Sequence, residues 1–583
     1  MYISKVHIKN YRCIDEVEIK FNKGMNSLVG KNGTGKTVVL EAIKAVVFQR
    51  RDVLVPGYIS LEISDNDGEI LQMFSTLIKN MKIPERKKAL FENFFRPKNG
   101  GMLTCKIVKE RRDNAYRDYL KIGELVFYNV HVGFEDVFSQ ENMVAISLER
   151  MNAQEFDSAI TLLNLVALVT EKNQLMRLEV DYLSHLVKLL QKKVFFVGEM
   201  RDLRKENVSG IASSRQPDDQ SFDAEEIHLQ RLEPSTYIDR FFRLQNSMEP
   251  RDYEVKDNFK KKCREDGYEV DAITEQRNQI KLRIRDLHTG SITDNSRFPS
   301  GLMQKLFFYF VETIANGKIL LLEEPENNLH PGLQKELTRL LGEINQIILT
   351  THSPEFIDLE SLGSVSRLAL QENKTLIFSS EKKKPSNVHY FDKNCFFSDF
   401  VIVVEGETEV YMVPILFDLV LDKIDFLNRN NMLVLNAGGE GKVASCANFL
   451  GEFGIPKISV KDIEGKTLPE LKEKEDRFEM LSDFDCLYKQ TIKDELDYSD
   501  KDKNKCKAQF AIKVLKKIDE LKKDGKTSEE ILKYVFDEKH VPELKKFVNY
   551  VKGSCEAANK TTNIEASDGE EMTSTSAPRM QKK

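Results

Sequence analysis

The chain lacks any run of about 18 uncharged apolar residues, the length a helix needs to cross a bilayer. That argues against a membrane transporter. Its opening, MYISKVHIKNYRC, has no apolar signal core. The expectation is therefore a cytoplasmic protein with no membrane partner. Cysteine is sparse and scattered: Cys13, Cys105, Cys263, Cys395, Cys446, Cys486, Cys506 and Cys555 include no CxxC pair. Such thiols read as reduced and structural, which argues against a zinc site. Tryptophan is absent, and that absence bears on no function. A basic excess is missing as well, since 87 Lys and Arg face 93 Asp and Glu for a net charge of −6. The molecule as a whole is not a basic nucleic-acid binder, although a basic groove can be local.

What is present is a soluble globular balance, 41% hydrophobic and 31% charged, over 583 residues. At roughly 150 residues per domain, that length suggests two to four units. Alternation in YISKVHIKNYRC and VEIKFNKGMNSLVG suggests short strands, and VVLEAIKAVVF reads as a helix. Residues 51–155 mix strand-like stretches with loops. Residues 158–193 carry leucines at helical spacing, and VFFVGEM follows as a strand. Highly charged runs over 206–295, among them DYEVKDNFKKKCREDG and TEQRNQIKLRIRDL, suggest an inserted helical arm for dimerisation or DNA contact. KILLLEEP and QIILTTHS read as buried strands in 296–380, and the Lys-rich stretch QENKTLIFSSEKKKPSNVHY as the end of that domain and a linker. A new α/β pattern occupies 393–552, and the small, polar tail 553–583 is expected to be disordered.

Gly30-Lys31-Asn32-Gly33-Thr34-Gly35-Lys36-Thr37, followed by Val38, fits GxxxxGK[ST] without exception. Glycines let backbone N–H groups close around phosphates, Lys36 adds a cation at the β/γ positions, and Thr37 can ligate Mg²⁺. A strand before and a helix after complete the context of a P-loop for ATP. Far downstream, a buried strand ends in Glu323-Glu324-Pro325. Glu323 stands where a metal-binding Asp is usual, and Glu324 is the candidate for polarising the attacking water. QIILTT ends in His352, placed to sense the γ-phosphate. Ser300-Gly301, before an apolar helix, has the form of a degenerate signature that completes a partner subunit's site.

GKNGTGKT, FPSGLMQK, LLLEEPENNLHP and LTTHSPEF, in that order, resemble the ATPase of the OLD (overcoming lysogenization defect) family, a branch of the RecF/SMC-like ABC-type ATPases. Glu in the first acidic position is usual in that branch. The resemblance implies a D-loop from Asn328 to Pro331 at a dimer interface, and homo-oligomerisation through an α/β ATPase with 1–205 and 296–380 as its two parts.

From Phe400, VIVVEGETEV gives a strand with Glu405 at its end and Glu409 in the first turn of the next helix. IPKISV, a second strand, is followed by Asp462 and Glu464. Two strand ends thus deliver four carboxylates, which repel one another unless a hard cation such as Mg²⁺ or Mn²⁺ neutralises them. The pattern resembles a Toprim domain, and its place behind an EEPE ATPase is the OLD arrangement. Glu464 departs from the family's DxD, and Lys461 adds a positive charge beside it. Glu495 and Lys539 are candidates for a later acid and lysine.

The resemblance implies an ATP-controlled, metal-dependent DNA endonuclease acting in anti-phage defence. A helicase-like partner would place it in a Gabija-type system; a reverse transcriptase with noncoding RNA would place it in a retron. The alternatives are an ATP-gated DNA clamp of RecF/SMC type with an inactive Toprim domain, and a regulatory ATPase that scaffolds an effector.

Overall fold

The computed structural model describes residues 1–48, 57–65, 68–80, 103–112, 115–122, 125–131, 142–146, 182–198, 231–232, 237–274, 280–327, 329–341, 344, 346–360, 363–372, 374–380, 391–462, 477–480, 487–496 and 507–563. They form two compact units, divided between Ser366 and Arg367.

The first unit is built on a parallel sheet of β1 (Gly24–Val29), β2 (Val194–Val197), β3 (Ile319–Glu323) and β4 (Gln346–Thr351), in the order β2-β3-β4-β1. The first four residues of β3 and all six of β4 are buried. Strands covered on both faces need unbroken apolar runs, which is how KILLL and QIILTT stand out in the sequence. Their carboxyl ends share one edge, where β1 runs into the Gly-rich loop and the helix Lys36–Val47. A second, antiparallel sheet places Tyr2–Tyr11 between Ile14–Lys20 and Tyr58–Asp65 and continues through the strand-like stretches between 103 and 146.

The segment expected as a helical arm differs from that expectation. Its described part holds helices Tyr237–Asn246 and Pro250–Glu265, and then a three-stranded antiparallel sheet, Tyr268–Thr274, Ile280–Asp286 and Ile292–Asp294. IKLRIRD alternates every second residue, burying Leu282 and Ile284 between exposed arginines, so it is a strand despite its charge. Nor does this part stand apart from the sheet. Phe241 and Phe259 pack edge-to-face against Phe310 at centroid distances of 6.2 and 5.3 Å, in one hydrophobic core with Leu320 and Leu349.

The second unit carries β5 (Phe400–Val404), β6 (Met432–Asn436), β7 (Lys457–Asp462) and β8 (Arg477–Met480), all parallel, in the order β6-β5-β7-β8. Helices Glu407–Leu421, Lys507–Lys523, Ser528–Val535 and Val541–Asn563 contribute to its core, in which Phe417, Val514, Leu532 and Phe547 are fully buried or nearly so. KTLIFS, read with the end of the ATPase part and its linker, is a strand at Lys374–Ser379 with Thr375 buried. One expectation is corrected here. The tail expected to be disordered from 553 is helical as far as Asn563, because Val551 and Cys555 anchor that helix in the core. Residues 564–583 lie outside the described residues. No helix among the described residues is long and apolar enough to cross a membrane.

Candidate functional site

In the first unit the loop after β1 carries Gly33 and Gly35 at φ 79° and 95°, backbone that an L side chain adopts only under strain. Lys31, Asn32 and Gly33 form its exposed crown, while Thr34, Gly35 and Lys36 are buried and Thr37 and Val38 half-buried. Thr34 Oγ1 donates to the Lys31 carbonyl at 2.9 Å. The Lys36 ammonium folds back into the loop and donates to the carbonyls of Gly30 and Lys31, each at 2.9 Å. Burial pushes its pKa down to about 8, and the carboxylates of Glu324 and Glu326 oppose that fall.

The end of β3 delivers three acids to the same edge. Glu323 accepts a hydrogen bond from the Thr37 hydroxyl, and burial raises its pKa. Thr37 and Glu323, the pair expected to flank Mg²⁺, therefore meet, and both are hard oxygen donors. Glu324 sits at φ 42°, a strained conformation for a non-glycine residue. Its backbone N–H is pinned to the Thr350 carbonyl at 3.0 Å. Its carboxylate accepts from Asn327 Nδ2 at 3.2 Å and lies 3.6 Å from His352 Nε2. Burial first, then the charge of Lys36, lowers the His352 pKa, against the opposing pull of Glu324.

Ser300 and Gly301 are the first two residues of helix Ser300–Ala315 rather than a loop before it. From the next turn, Gln304 Nε2 donates to the Asn327 carbonyl at 2.8 Å, tying that helix to the acidic loop after β3. Asn328 lies outside the described residues. Glu326, which the motif reading passed over, is a further member of the cluster: its carboxylate accepts the backbone N–H of His352.

In the second unit β5 is wholly buried and ends at half-buried Glu405. Gly406 caps the helix that follows, and Glu409 in its first turn is buried. A Cβ added at Gly406 would lie 3.2 Å from Glu409 Oε2, so the Glu409 carboxylate turns back over the glycine at the strand end. A side chain there would crowd that carboxylate. The Glu405 carbonyl accepts from Gly439 N at 2.7 Å, and Gly438 N donates to Asn436 Oδ1 at 2.7 Å. The Gly-rich turn after β6 is thus locked to the end of β5.

β7 lies beside β5 in parallel register, Val403 opposite Ser459, so Glu405 and Asp462 end at the same sheet edge. The side chain of Asp462 and all of Glu464 lie outside the described residues. Among the described residues no three His, Cys, Asp or Glu side chains form a metal-holding group. The described pair, Glu405 and Glu409, offers the all-oxygen donors that Mg²⁺ or Mn²⁺ prefers, and the backbone of Asp462 ends β7 at the same edge. The two later candidates have local partners: Glu495 binds Lys517 at 2.6 Å and Tyr534 at 2.8 Å, and Lys539 pairs with Asp537 at 3.3 Å.

Two families match. The AAA ATPase domain covers residues 1–357, and the Overcoming lysogenization defect protein-like TOPRIM domain covers residues 396–463. The DNA repair protein RecN of Rickettsia felis is 23% identical over 34% of this chain and 37% of its own length. The DNA replication and repair protein RecF of Shewanella piezotolerans is 24% identical over 36% of this chain and 55% of its own length. The chain thus spans between about a third and just over half of these curated relatives. A crystal structure of an SMC head bound to the C-winged helix domain of ScpA aligns with a TM-score of 0.34 at 13% identity, covering 65% of this chain and 98% of that one.

Proposed function

The chain belongs to the AAA ATPase domain family and joins that ATPase to an OLD-like TOPRIM domain, and from this premise we propose an ATP-controlled, metal-dependent DNA endonuclease. In the ATPase, Lys36 and the loop N–H groups bind the triphosphate, while Thr37 and Glu323 hold Mg²⁺. Glu324 accepts a proton from the attacking water, which His352 helps to place against the γ-phosphate. Ser300 and Gly301 complete the site of a second copy, which makes the working ATPase a homo-oligomer.

In the TOPRIM unit, Glu405, Glu409, Asp462 and Glu464 would hold Mg²⁺ or Mn²⁺, which lowers the pKa of bound water and offsets charge on the leaving oxygen. The chain's own residues fix that geometry: the β5 and β7 ends set the spacing, and Gly406 leaves room for the Glu409 carboxylate. Water adds to the phosphorus of a DNA phosphodiester, the P–O bond to the sugar breaks, and the alkoxide takes a proton. The observation that carries this proposal is the adjacency of β5 and β7, which brings Glu405 and Asp462 to one edge. Anti-phage defence beside a helicase-like or reverse-transcriptase partner is the biological setting that the OLD resemblance favours.

The likeness of the ATPase part to RecN and RecF favours one alternative, an ATP-gated DNA clamp. Cleavage of DNA by the purified chain, dependent on divalent metal and abolished by chelator, decides between them. Binding of DNA without cleavage, with and without ATP, would favour the clamp.

A further inference from the structure

The loop after β3 does more than present Glu323 and Glu324. Glu326 reaches from that loop to the turn after β4, where its carboxylate accepts the backbone N–H of His352, and the Thr351 hydroxyl bonds to the same group. The other oxygen of this carboxylate is buried and has no hydrogen-bond partner among the described residues. The group also lies close enough to Glu324 to feel its charge. A carboxylate half-satisfied, desolvated and beside another acid is costly to keep. A group kept buried at that cost invites an account of what its bond to the His352 backbone does.

The surroundings supply one. The turn Thr351-His352-Ser353 is held from both sides: Ser353 Oγ donates to Gln334 Oε1 at 2.5 Å, and Gln334 Nε2 donates to the Leu329 carbonyl at 2.9 Å. The loop carrying Glu326 is fixed in turn by Gln304, almost fully buried, on the Asn327 carbonyl. Within this bracket Glu326 bonds the acidic loop to the His352 backbone, and the His352 ring stands 3.6 Å from Glu324.

We propose that Glu326 is a positioning residue of the ATPase, setting the His352 turn so that the imidazole and Glu324 hold one geometry toward the γ-phosphate. This rests on the ATP-hydrolysing role of Glu324 and His352 proposed above. Glu326 does not touch nucleotide in this account; it acts through the His352 backbone. Glutamine keeps an oxygen that accepts the same N–H, whereas alanine removes it.

The test uses the full chain with Glu326→Ala and Glu326→Gln, reading hydrogen exchange of the amides at 350–354, ATP affinity, and kcat against KM. Glu326→Ala should speed exchange at this turn and lower kcat about tenfold, as expected for one lost hydrogen bond. ATP affinity should stay within about threefold, and Glu326→Gln should restore both exchange and kcat to about the same margin. Unchanged exchange in Glu326→Ala overturns the proposal. So does equal loss in both variants with the fold intact, since that would implicate charge rather than the bond. Should Glu326→Ala fail to fold, wild-type exchange and kcat in Glu326→Gln support the bond, and their loss overturns it. Failure of the underlying ATPase reading is separate: hydrolysis that survives Lys36→Ala would remove the site, while the exchange result would still report on the bracket.

Discussion

Replacing Lys36 with methionine should stabilise the nucleotide-free protein at pH 7 while removing its grip on ATP. The ammonium is held inside the loop on two carbonyls at 2.9 Å, and burial lowers its pKa from 10.5 to about 8. At 1.36 kcal/mol per pKa unit, that fall bounds the cost of keeping the charge at ~3 kcal/mol. The crown of the loop at Lys31–Gly33 is exposed, so screening reduces the expected cost to ~1–2 kcal/mol.

The sign follows from proton binding. Below pH 8 both folded and unfolded chains are protonated and the folded chain bears the whole cost. Between pH 8 and 10.5 the folded chain releases its proton first, so wild-type stability rises with pH relative to Lys36→Met. Thermal unfolding should therefore show the variant ahead by about 1–3 °C at pH 7, less whatever the lost carbonyl bonds cost, and that lead should shrink as pH approaches 10.5. In parallel, a fluorescent ATP analogue should bind the variant about 10–150-fold more weakly, the worth of one charge-assisted contact. A stability difference that does not move between pH 7 and 10.5 would refute the burial argument, and unchanged ATP affinity would refute the phosphate role of Lys36.

Glu324→Gln should keep ATP affinity and lower hydrolysis by about a hundredfold or more, measured as phosphate release, since it removes the base while leaving the loop bonds in place. Ser300→Arg should abolish hydrolysis without weakening ATP binding to a single chain, and wild-type hydrolysis per chain should rise with protein concentration; a rate independent of concentration would count against a shared site. Phe310→Ala should cost ~3–5 kcal/mol in denaturant unfolding, because it empties the contact that joins Phe241 and Phe259 to the sheet.

The P-loop was legible because its constraints are local. Positive φ demands glycine at Gly33 and Gly35, and Lys36 and Thr37 open the helix that follows. β3 and β4 were equally visible, since strands buried on both faces cannot disguise their apolar runs. Ile280–Asp286 was not, because its arginines gave a charged composition that hid a period of two. The packing of Phe241 and Phe259 onto Phe310 lay beyond a linear reading, which suggested an arm where the chain forms core. Glu326 stood inside a recognised motif, yet its partner is the backbone of His352, 26 residues later, and backbone partners leave no trace in side-chain patterns. In the TOPRIM unit the strand-end acids were readable, but the neighbouring positions of β5 and β7 are a matter of topology.

The central claim is that the edge formed by β5 and β7 cuts DNA, and DNA cleavage by Glu405→Ala tests it most directly. Full-length wild type and variant would be compared on DNA with Mg²⁺ or Mn²⁺, ATP and any genetic neighbour supplied, with ATP binding and thermal unfolding as controls. The account predicts that cleavage falls by several orders of magnitude in Glu405→Ala and in Asp462→Ala, with both controls unchanged, and that Glu464→Asp keeps activity while Glu464→Ala loses it. Cleavage undiminished in Glu405→Ala would place the chemistry elsewhere in the chain and contradict the claim.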